Sequence, residues 1–311
     1  MTDCLKSPIP VQRVRPDWAE RGGVTLDVLR LDQLHARISG NKWFKLKYHL
    51  ENARVKGIDT VMSFGGAWSN HIQSFGGAWS NHIHALAAAG RLSGFNTIGI
   101  IRGEHQELTP TLQDAKRWGM ALHFVTRIDY RRRYELVFQN ELVEKLGYRP
   151  SEVLVVPEGG GGGLGVKGCE EILSAGGVDP CSYHQIWLAC GTGATLAGVA
   201  RSVGLKSLMY GIAVLKGADF LRHDITSLVG NVSANWQLNT DSHCGGYGGT
   251  TPELLDFIAQ FELDTGIPLD QVYTGKVMLA LKKKIVEGRL SKGCRILMIH
   301  TGGLQGKRGI K

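Results

Sequence analysis

Residues 185–204 read QIWLACGTGATLAGVARSVG, an order that predicts a strand, a glycine-rich turn and a helix. The same alternation recurs along the chain. Strands are predicted at 59–64, 96–103, 121–125, 152–159, 185–190, 208–214 and 295–303, and helices at 43–57, 82–90, 109–119, 195–204, 251–266 and 275–288. This order predicts an α/β fold with a mostly parallel sheet, helices on both faces, and ligands beyond the carboxyl ends of the strands.

Glycine is the most unusual feature of the composition. The 311 residues include 42 glycines, against an average usage of about 7%. They cluster at 65–66, 76–77, 159–163, 191–193, 245–249 and 302–303. Because glycine lets a backbone approach a ligand closely, these clusters predict a small-molecule enzyme whose loops converge on one site. The chain is long enough for one large domain or two medium ones, and the glycine run at 158–163 is the most plausible boundary.

Composition and charge argue against several other classes. The apolar runs are shorter than a membrane span, and the N-terminal segment lacks the apolar stretch of a secretory signal, so we expect a protein without a membrane partner. Six scattered cysteines without a CxxC pair predict reduced thiols in a cytoplasmic protein, and neither disulfides nor a metal site. The net charge of +8 is spread out, and its short runs at 131–133 and 282–284 predict solvated helix faces. We therefore expect no nucleic-acid partner.

The turn at 191–195, GTGAT, is the first candidate for chemistry. Free N–H groups at a helix start, approached closely through glycines, form a cradle for phosphate. However, Leu196 stands where the dinucleotide fingerprint requires a third glycine, and no Gly-Lys-Ser/Thr follows. The turn alone is equally consistent with phosphate binding and with an ordinary β–α turn.

Two lysines and a Ser-Asn pair are the next candidates. Lys42 and Lys45 lie near the start of a predicted helix, where positive charge is disfavoured and burial would favour the neutral amine. Ser80 and Asn81 precede an alanine-rich helix, and such a cap is able to hold a carboxylate. Each has a commoner structural explanation, a solvated lysine or a plain helix cap.

Five segments occur in an order typical of one family: GNKWFKLKY at 40–48, SNHIHALA at 80–87, GTGATLAG at 191–198, VYTGK at 272–276 and HTGG at 300–303. Together they resemble the 1-aminocyclopropane-1-carboxylate deaminase and D-cysteine desulfhydrase family over nearly the whole chain. The resemblance implies a pyridoxal 5′-phosphate enzyme of the tryptophan synthase β-like fold (fold type II), with two three-layer α/β/α domains and the cofactor in the cleft. It implies a large cofactor-binding domain from 1–44 and 156–311, a small domain from 45–155, and a homodimer.

The resemblance also implies roles for individual residues. Lys42 would form the Schiff base with the cofactor and, once released, act as the general base. The phosphate would be held by Gly191, Thr192, Gly193, Ala194 and Thr195, and the pyridine nitrogen would face Thr301. The substrate carboxylate would be bound by Ser80, Asn81 and His82, with Asn81 also near the cofactor's 3′ oxygen.

Three more residues match catalytic positions of the family. Tyr273 and Tyr247 match its two active-site tyrosines, and Lys45 matches a lysine that relays protons. For His300, His84 and His71 we expect structural roles, because only their proximity to the motifs recommends them.

Substrate choice within the family depends on the residue after the second tyrosine. The ring-opening deaminases carry a glutamate there, whereas this chain has Thr274. This departure favours β-elimination from D-cysteine or a related D-amino acid, giving pyruvate, ammonia and sulfide. The alternatives are aminocyclopropane-carboxylate deamination to 2-oxobutanoate and ammonia, and a cofactor-binding protein impaired by a duplication.

That duplication lies within the Ser-Asn segment. Ser63–Ile72, SFGGAWSNHI, recurs unchanged as Ser74–Ile83. Since loop length costs little entropy, we expect the strand to come from the first copy and the helix cap from the second. Ser80 and Asn81 would then be the working pair, with Ser69 and Asn70 displaced into an added loop.

Overall fold

The computed structural model describes residues 9–38, 40–66, 79–103 and 108–309. The strands among them are β1 (Val11–Val14), β2 (Thr25–Arg30), β3 (Thr60–Gly65), β4 (Asn96–Arg102), β5 (Ala121–Val125), β6 (Val153–Val156), β7 (Gln185–Cys190), β8 (Leu208–Ala213), β9 (Trp236–Asn239) and β10 (Arg295–His300). The helices are α1 (Asp17–Arg21), α2 (Lys42–Val55), α3 (Asn81–Ser93), α4 (Pro110–Arg117), α5 (Arg127–Arg131), α6 (Leu136–Lys145), α7 (Gly162–Cys169), α8 (Ile172–Ala175), α9 (Ala194–Val203), α10 (Phe220–Val229), α11 (Pro252–Thr265) and α12 (Thr274–Val286). No helix in the described ranges combines the length and the apolar character needed to cross a bilayer.

The strands form two sheets. The larger has the order β1-β2-β10-β7-β8-β9, in which β1 is antiparallel to β2 and every other pair is parallel. The smaller has the order β5-β4-β3-β6 and is parallel throughout. The predicted α/β fold with mostly parallel sheets is therefore confirmed, and because every strand except β1 runs parallel to its neighbours the carboxyl ends of the strands form well-defined edges.

Helices cover both faces of the small sheet, as the alternation of buried residues along β3 shows. Val61 belongs to the core shared with α2, α3 and α9, whereas Met62 and Phe64 pack against Tyr130 and Phe138 on the other face. That shared core also reaches the large sheet, whose opposite face packs on α11 and α12. One continuous core therefore joins the two sheets.

All seven predicted strands and all six predicted helices are present, but β1, β2 and β9 were not predicted. Strand β2 contains Asp27, which is only 4% exposed and accepts hydrogen bonds from Arg13 Nε (2.8 Å) and Tyr183 Oη (3.0 Å). Burial would raise the pKa of Asp27, but these two hydrogen bonds lower it below its ordinary value. A buried strand that carries a paired charge lacks the apolar pattern from which strands are predicted.

The predicted domain boundaries cross regular elements. The boundary at 44/45 lies inside α2, and the one at 155/156 lies within the last two residues of β6. The strands of the small sheet fall between residues 60 and 156, and the glycine run at 158–163 connects β6 of that sheet to α7. The domain limits themselves stay a prediction.

The duplicated segment is divided as the sequence predicts. Strand β3 ends in Ser63, Phe64 and Gly65 of the first copy, and α3 follows Ser80 of the second. A Cβ atom on Gly65 would lie 2.4 Å from Cγ1 of Ile83, so the two copies pack directly on each other. The residues between them, 67–78, lie outside the described ranges together with Ser69, Asn70 and His71.

Candidate active site

A cleft of about 1070 Å³ opens where the carboxyl ends of strands from both sheets meet. Strands β3, β4 and β6 of the small sheet and strands β7 and β10 of the large sheet end at this cleft. The predicted site residues that line it are Lys42, Lys45, Ser80, Asn81, His82, Gly191, Thr192, Gly193, Thr195, Tyr247, Tyr273 and Thr301. Ala194 is fully buried and is not among the lining residues. Residues far apart in sequence are thus brought to one site.

Lys42 is placed by close contact between the start of α2 and the end of β10. Gly40 has a φ of +73°, and a Cβ there would lie 1.9 Å from the carbonyl oxygen of Thr301. The next residue, Asn41, donates its N–H to the same carbonyl at 3.2 Å. Only glycine allows this approach, so the Gly-Asn turn holds Lys42 beside Thr301.

Lys42 and Lys45 form a pair of crowded amines on one face of α2. Burial lowers the pKa of Lys42 well below its ordinary value, and the positive charge of Lys45 lowers it further. Lys45 is 3% exposed, and burial lowers its pKa as well. Their Nζ atoms contact Gly159 O (3.4 Å) and Thr192 Oγ1 (3.3 Å) respectively. The site therefore favours a neutral amine, as a lysine nucleophile and base requires.

The glycine-rich turn presents the start of α9 to the cleft. Gly193, the N-cap of α9, has a φ of +76°, and a Cβ there would lie 2.6 Å from Cγ1 of Ile225. The first N–H groups of a helix have no acceptor within the helix, so they are available to an anion. Asn41 Nδ2 donates to Thr195 Oγ1 at 2.8 Å. This bond ties the anion site to the helix that carries Lys42.

The second copy of the duplicated phrase forms the start of α3 at the cleft. Ser80 Oγ accepts the N–H of Ile83 at 3.2 Å, which makes it a true helix cap. Asn81 Oδ1 is buried and has no hydrogen-bond partner among the described residues. Its Nδ2 lies 3.0 Å from where a Cβ of Gly303 would stand, so a side chain at that glycine would crowd it. A buried acceptor without a donor points to a ligand group at this position.

His82 has a defined tautomer because its partner has only one proton to give. Ser63 Oγ donates to Val156 O at 2.7 Å, so the 2.7 Å contact between Ser63 Oγ and His82 Nε2 requires Nε2–H as donor. The pKa of His82 lies well below its ordinary value, because of burial and of the charges on Lys42 and Lys45. Its Nδ1 is therefore a buried lone pair, without a partner in the described part of the chain.

The two predicted tyrosines contact each other. Tyr247 Oη and Tyr273 Oη are 2.9 Å apart, and burial raises the pKa of Tyr273 well above its ordinary value. One of the two hydroxyls therefore donates its proton to the other. Lys276, whose pKa burial lowers to about 8, donates to Gly246 O at 2.7 Å and so fixes the loop that carries Tyr247.

Thr274 does not face the cleft. It is fully buried, and its hydroxyl donates to Asp270 Oδ1 at 2.7 Å. The Asp270 carboxylate also accepts the backbone N–H groups of Val272, Tyr273 and Thr274 at 2.8–2.9 Å. Thr274 thus belongs to the cap that orients Tyr273 at the start of α12.

His300 and His84 make structural contacts. His300 Nε2 lies 2.7 Å from the carbonyl oxygen of Pro268, which makes that nitrogen the donor. His84 contacts Asp114 Oδ2 at 3.3 Å and packs edge-on against Trp118 at 4.7 Å between ring centroids. Neither lines the cleft as described.

Glu158 lines the cleft but was not predicted. Its carboxylate accepts hydrogen bonds from Tyr130 Oη and Arg133 Nε, both at 2.7 Å. It follows β6 directly and precedes the glycine run, which is the position where functional side chains of a parallel sheet collect. The glycine cluster at 159–163 pointed to a loop at the site, but nothing in the sequence singled out the acidic residue before it.

The chain is similar to several characterised or named proteins, although no family model matches it. It is 31% identical to a putative 1-aminocyclopropane-1-carboxylate deaminase of Pyrococcus horikoshii, over 96% of this chain and 90% of that protein. It is 29% identical to the mitochondrial bifunctional D-cysteine desulfhydrase/1-aminocyclopropane-1-carboxylate deaminase of Arabidopsis thaliana, over 96% and 77%. A D-cysteine desulfhydrase of Klebsiella pneumoniae is 27% identical, over 97% and 93%.

Solved structures give the same result. The crystal structure of an ACC deaminase homologue superposes with a TM-score of 0.82 at 26% identity, over 98% of this chain and 92% of that one. Threonine deaminase isoform 2 from Solanum lycopersicum superposes with a TM-score of 0.66 at 15% identity, over 96% and 80%, which shows the fold alone.

The two parallel sheets and these structural likenesses define the class, an enzyme of the tryptophan synthase β-like fold, fold type II of the pyridoxal-phosphate enzymes. The identity with the Pyrococcus horikoshii protein extends over nearly all of both chains. The chain belongs to the 1-aminocyclopropane-1-carboxylate deaminase and D-cysteine desulfhydrase family.

Proposed function

We propose that this chain is a pyridoxal-phosphate-dependent lyase that eliminates the β-substituent of D-cysteine or a related D-amino acid. The observation that carries this proposal is the pair Lys42 and Lys45 at the cleft, Lys42 half-buried and Lys45 buried, beside the first N–H groups of α9. A lysine held toward the neutral amine next to an anion cradle is what a phosphate-bearing aldehyde cofactor requires.

The residues present fit pyridoxal phosphate. The turn at 191–195 would hold its phosphate through backbone N–H groups and Thr195, and Lys42 would hold its aldehyde carbon. Asn81 Oδ1, buried without a partner in the described residues, would receive a donor, and Thr301 would face the ring. When bound, the cofactor withdraws electrons from the α-carbon of the substrate.

The protein's own groups would then move the protons. Lys42 Nζ, with its pKa lowered by burial, takes the α-proton as general base. The Cβ–S bond breaks with its electron pair on sulfur, and a hydroxyl of the Tyr247–Tyr273 pair protonates the leaving thiolate. Water converts the remaining aminoacrylate to pyruvate and ammonia. Ser80 and the first N–H groups of α3 would bind the substrate carboxylate.

Thr274 supports elimination over ring opening. Its hydroxyl is used in the cap around Asp270, and it is fully buried, so position 274 supplies no acidic group to the cleft. The alternative function, deamination of aminocyclopropane-carboxylate, is supported by the names of the Pyrococcus horikoshii and Arabidopsis thaliana relatives. A cofactor-binding protein impaired by the duplication is the second alternative.

One assay separates these possibilities. The purified protein with pyridoxal phosphate is given D-cysteine, L-cysteine, D-serine or aminocyclopropane-carboxylate, and the keto acid and sulfide are measured. Pyruvate and sulfide from D-cysteine support the proposal. 2-Oxobutanoate from aminocyclopropane-carboxylate supports the first alternative, and cofactor absorbance without any product supports the second.

We also propose that the enzyme is a cytoplasmic homodimer. The support for this is the family resemblance and, for the compartment, the absence of disulfides among the described cysteines. The mitochondrial name of the Arabidopsis thaliana relative shows that location varies among relatives. Light scattering on the purified protein would give its mass in solution, and a monomer would contradict the homodimer.

A further inference from the structure

The segment 127–134, RIDYRRRY, turns one face to the cleft. It consists of α5 and the turn that follows. Residues at positions i, i+3, i+4 and i+7 share a helix face, and here these are Arg127, Tyr130, Arg131 and Tyr134, all of which line the cleft. We call these four residues the arginine face. The run RRR at 131–133 is therefore only partly a solvated surface.

The arginines of this segment divide into two kinds. Arg132 pairs with Glu135 (3.1 Å) and Glu141 (3.6 Å), and Arg133 pairs with Glu158 (2.7 Å). Arg127 and Arg131 have no carboxylate within 4 Å among the described residues. Arg133 also lines the cleft, but its charge is paired, whereas Arg127 and Arg131 keep their charge available for a ligand.

The lining of the cleft carries more positive than negative side chains. Apart from Lys42 and Lys45, the described lining residues include the cations Arg102, Arg127, Arg131, Arg133 and Lys216, and the carboxylates Glu158 and Asp224. Of the two carboxylates, Glu158 is already bound to Arg133. A substrate with a neutral side chain, such as the CH₂SH of cysteine, would not form an ion pair with these cations.

The arginine face also adjoins the segment expected to bind the substrate. A Cβ on Gly65 would lie 3.2 Å from Cβ of Ser80, and a Cβ on the next residue, Gly66, would lie 3.2 Å from Glu158 Oε1 and 3.6 Å from Tyr130 Oη. The end of β3 therefore lies between Ser80 and the arginine face. A substrate held by its α-carboxylate at Ser80 would place its side chain within reach of that face.

We propose that Arg127 and Arg131 select substrates whose side chain carries a second acidic group. Arginine suits this task because its planar guanidinium donates two parallel hydrogen bonds to a carboxylate or a sulfonate. This inference rests on the proposed function, since it assigns the substrate class of the same site.

The test uses two amino acids that differ only in charge. Glutamate and glutamine have the same shape, and neither has a β-substituent that leaves. Each is measured, in both enantiomers, as a competitive inhibitor of D-cysteine turnover and by titration calorimetry on the protein loaded with pyridoxal phosphate. We expect one enantiomer of glutamate to bind about tenfold more tightly than the matching glutamine, as for a gain of about 1.4 kcal/mol, and the preference to weaken with added salt.

Two variants locate the effect. The double variant Arg127→Gln/Arg131→Gln should remove the preference for glutamate and leave glutamine binding unchanged. Arg132→Gln removes the same charge from the adjacent position, which does not line the cleft as described, and should keep the preference. Equal binding of glutamate and glutamine in both enantiomers overturns the inference, and so does loss of the preference in Arg132→Gln.

The calorimetric measurement keeps this inference separate from the proposed function. If glutamate binds preferentially through Arg127 and Arg131 while no keto acid is formed from D-cysteine, the assigned reaction is wrong and the acidic-group site stands. If D-cysteine is turned over and glutamate has no advantage, the reaction stands and the acidic-group site is wrong.

Discussion

Two pairs of cations line the cleft, and they differ in burial. Lys42 and Lys45 lie one turn apart on α2, with Lys45 only 3% exposed and the pKa of both lowered by burial. Arg127 and Arg131 lie one turn apart on α5 and are exposed. Burial turns the first pair toward neutral amines fit for proton transfer, whereas exposure and the high intrinsic basicity of arginine keep the second pair charged. The lysines on α2 are thus assigned to the reaction, and the arginines on α5 are assigned to substrate selection.

The largest expected effect on activity comes from replacing Lys42. Lys42→Ala should reduce pyruvate formation from D-cysteine by at least about 10³-fold, since a positioned general base alone contributes about 10²–10⁴-fold. It should also remove the visible absorbance of the bound cofactor. Lys47→Ala is the matched control, because Lys47 lies on the same helix and pairs with Glu171 at 2.7 Å outside the cleft. A fully active Lys42→Ala enzyme would contradict the assignment of Lys42 to the reaction.

The next effect tests how Lys42 is held in place at the start of α2. Gly40 and Gly57 flank α2, and both have positive φ, +73° and +64°. An alanine at Gly57 would meet no atom within 4 Å, whereas at Gly40 it would meet the carbonyl of Thr301 at 1.9 Å. Gly57→Ala should lower the free energy of unfolding by about 1–2 kcal/mol, and Gly40→Ala by about 3 kcal/mol or more, because the clash adds to the strain.

Denaturant midpoints measure this difference, and cofactor absorbance should be lost only in Gly40→Ala. Equal destabilisation of the two variants would mean that the contact with Thr301 does not hold Lys42 in place.

These contacts show what the sequence does and does not reveal. Gly40, Lys42 and the turn at 191–195 were predicted because glycine beside a polar group at an element boundary is a local pattern. The arginine face was not predicted, since a basic run on a helix looks the same whether its face meets water or a cleft. Glu158 and the buried Asp27 were missed for a related reason: their partners, Tyr130, Arg133, Arg13 and Tyr183, are brought to them only by the folded chain.

A smaller effect concerns the coupling between the two lysines. The positive charge of Lys45 contributes to the lowered pKa of Lys42, so Lys45→Met should raise the pKa of Lys42. Because the base acts in its unprotonated form, kcat falls as the pH falls through that pKa, and the acid limb of the profile should move to higher pH. Lys45→Arg keeps the charge and should keep the limb. A shift to lower pH in Lys45→Met would contradict the coupling.

The smallest effect tests whether burial also keeps His82 uncharged. His82 lies on α3 close to the lysines, since a Cβ on Gly160 would lie 3.0 Å from Cβ of Lys45 and 3.5 Å from Cε1 of His82. It is 3% exposed, and burial holds its pKa well below the ordinary 6.5. The unfolded chain titrates near the ordinary value and takes up a proton that the folded chain refuses. Stability should therefore fall as the pH drops below about 6.5, by up to about 1.4 kcal/mol per pH unit for this one group.

His82→Gln should make that decline shallower, because glutamine does not titrate and its amide is still able to donate to Ser63 Oγ. Part of the slope should remain, since burial also lowers the pKa of His49 and His84. The exposed His223→Gln serves as control and should leave the slope unchanged. The free energy of unfolding, measured between pH 5 and 7.5 for the three proteins, decides the matter. If His82→Gln has the slope of the parent, His82 binds its proton equally well in the folded and unfolded chain, and burial does not lower its pKa.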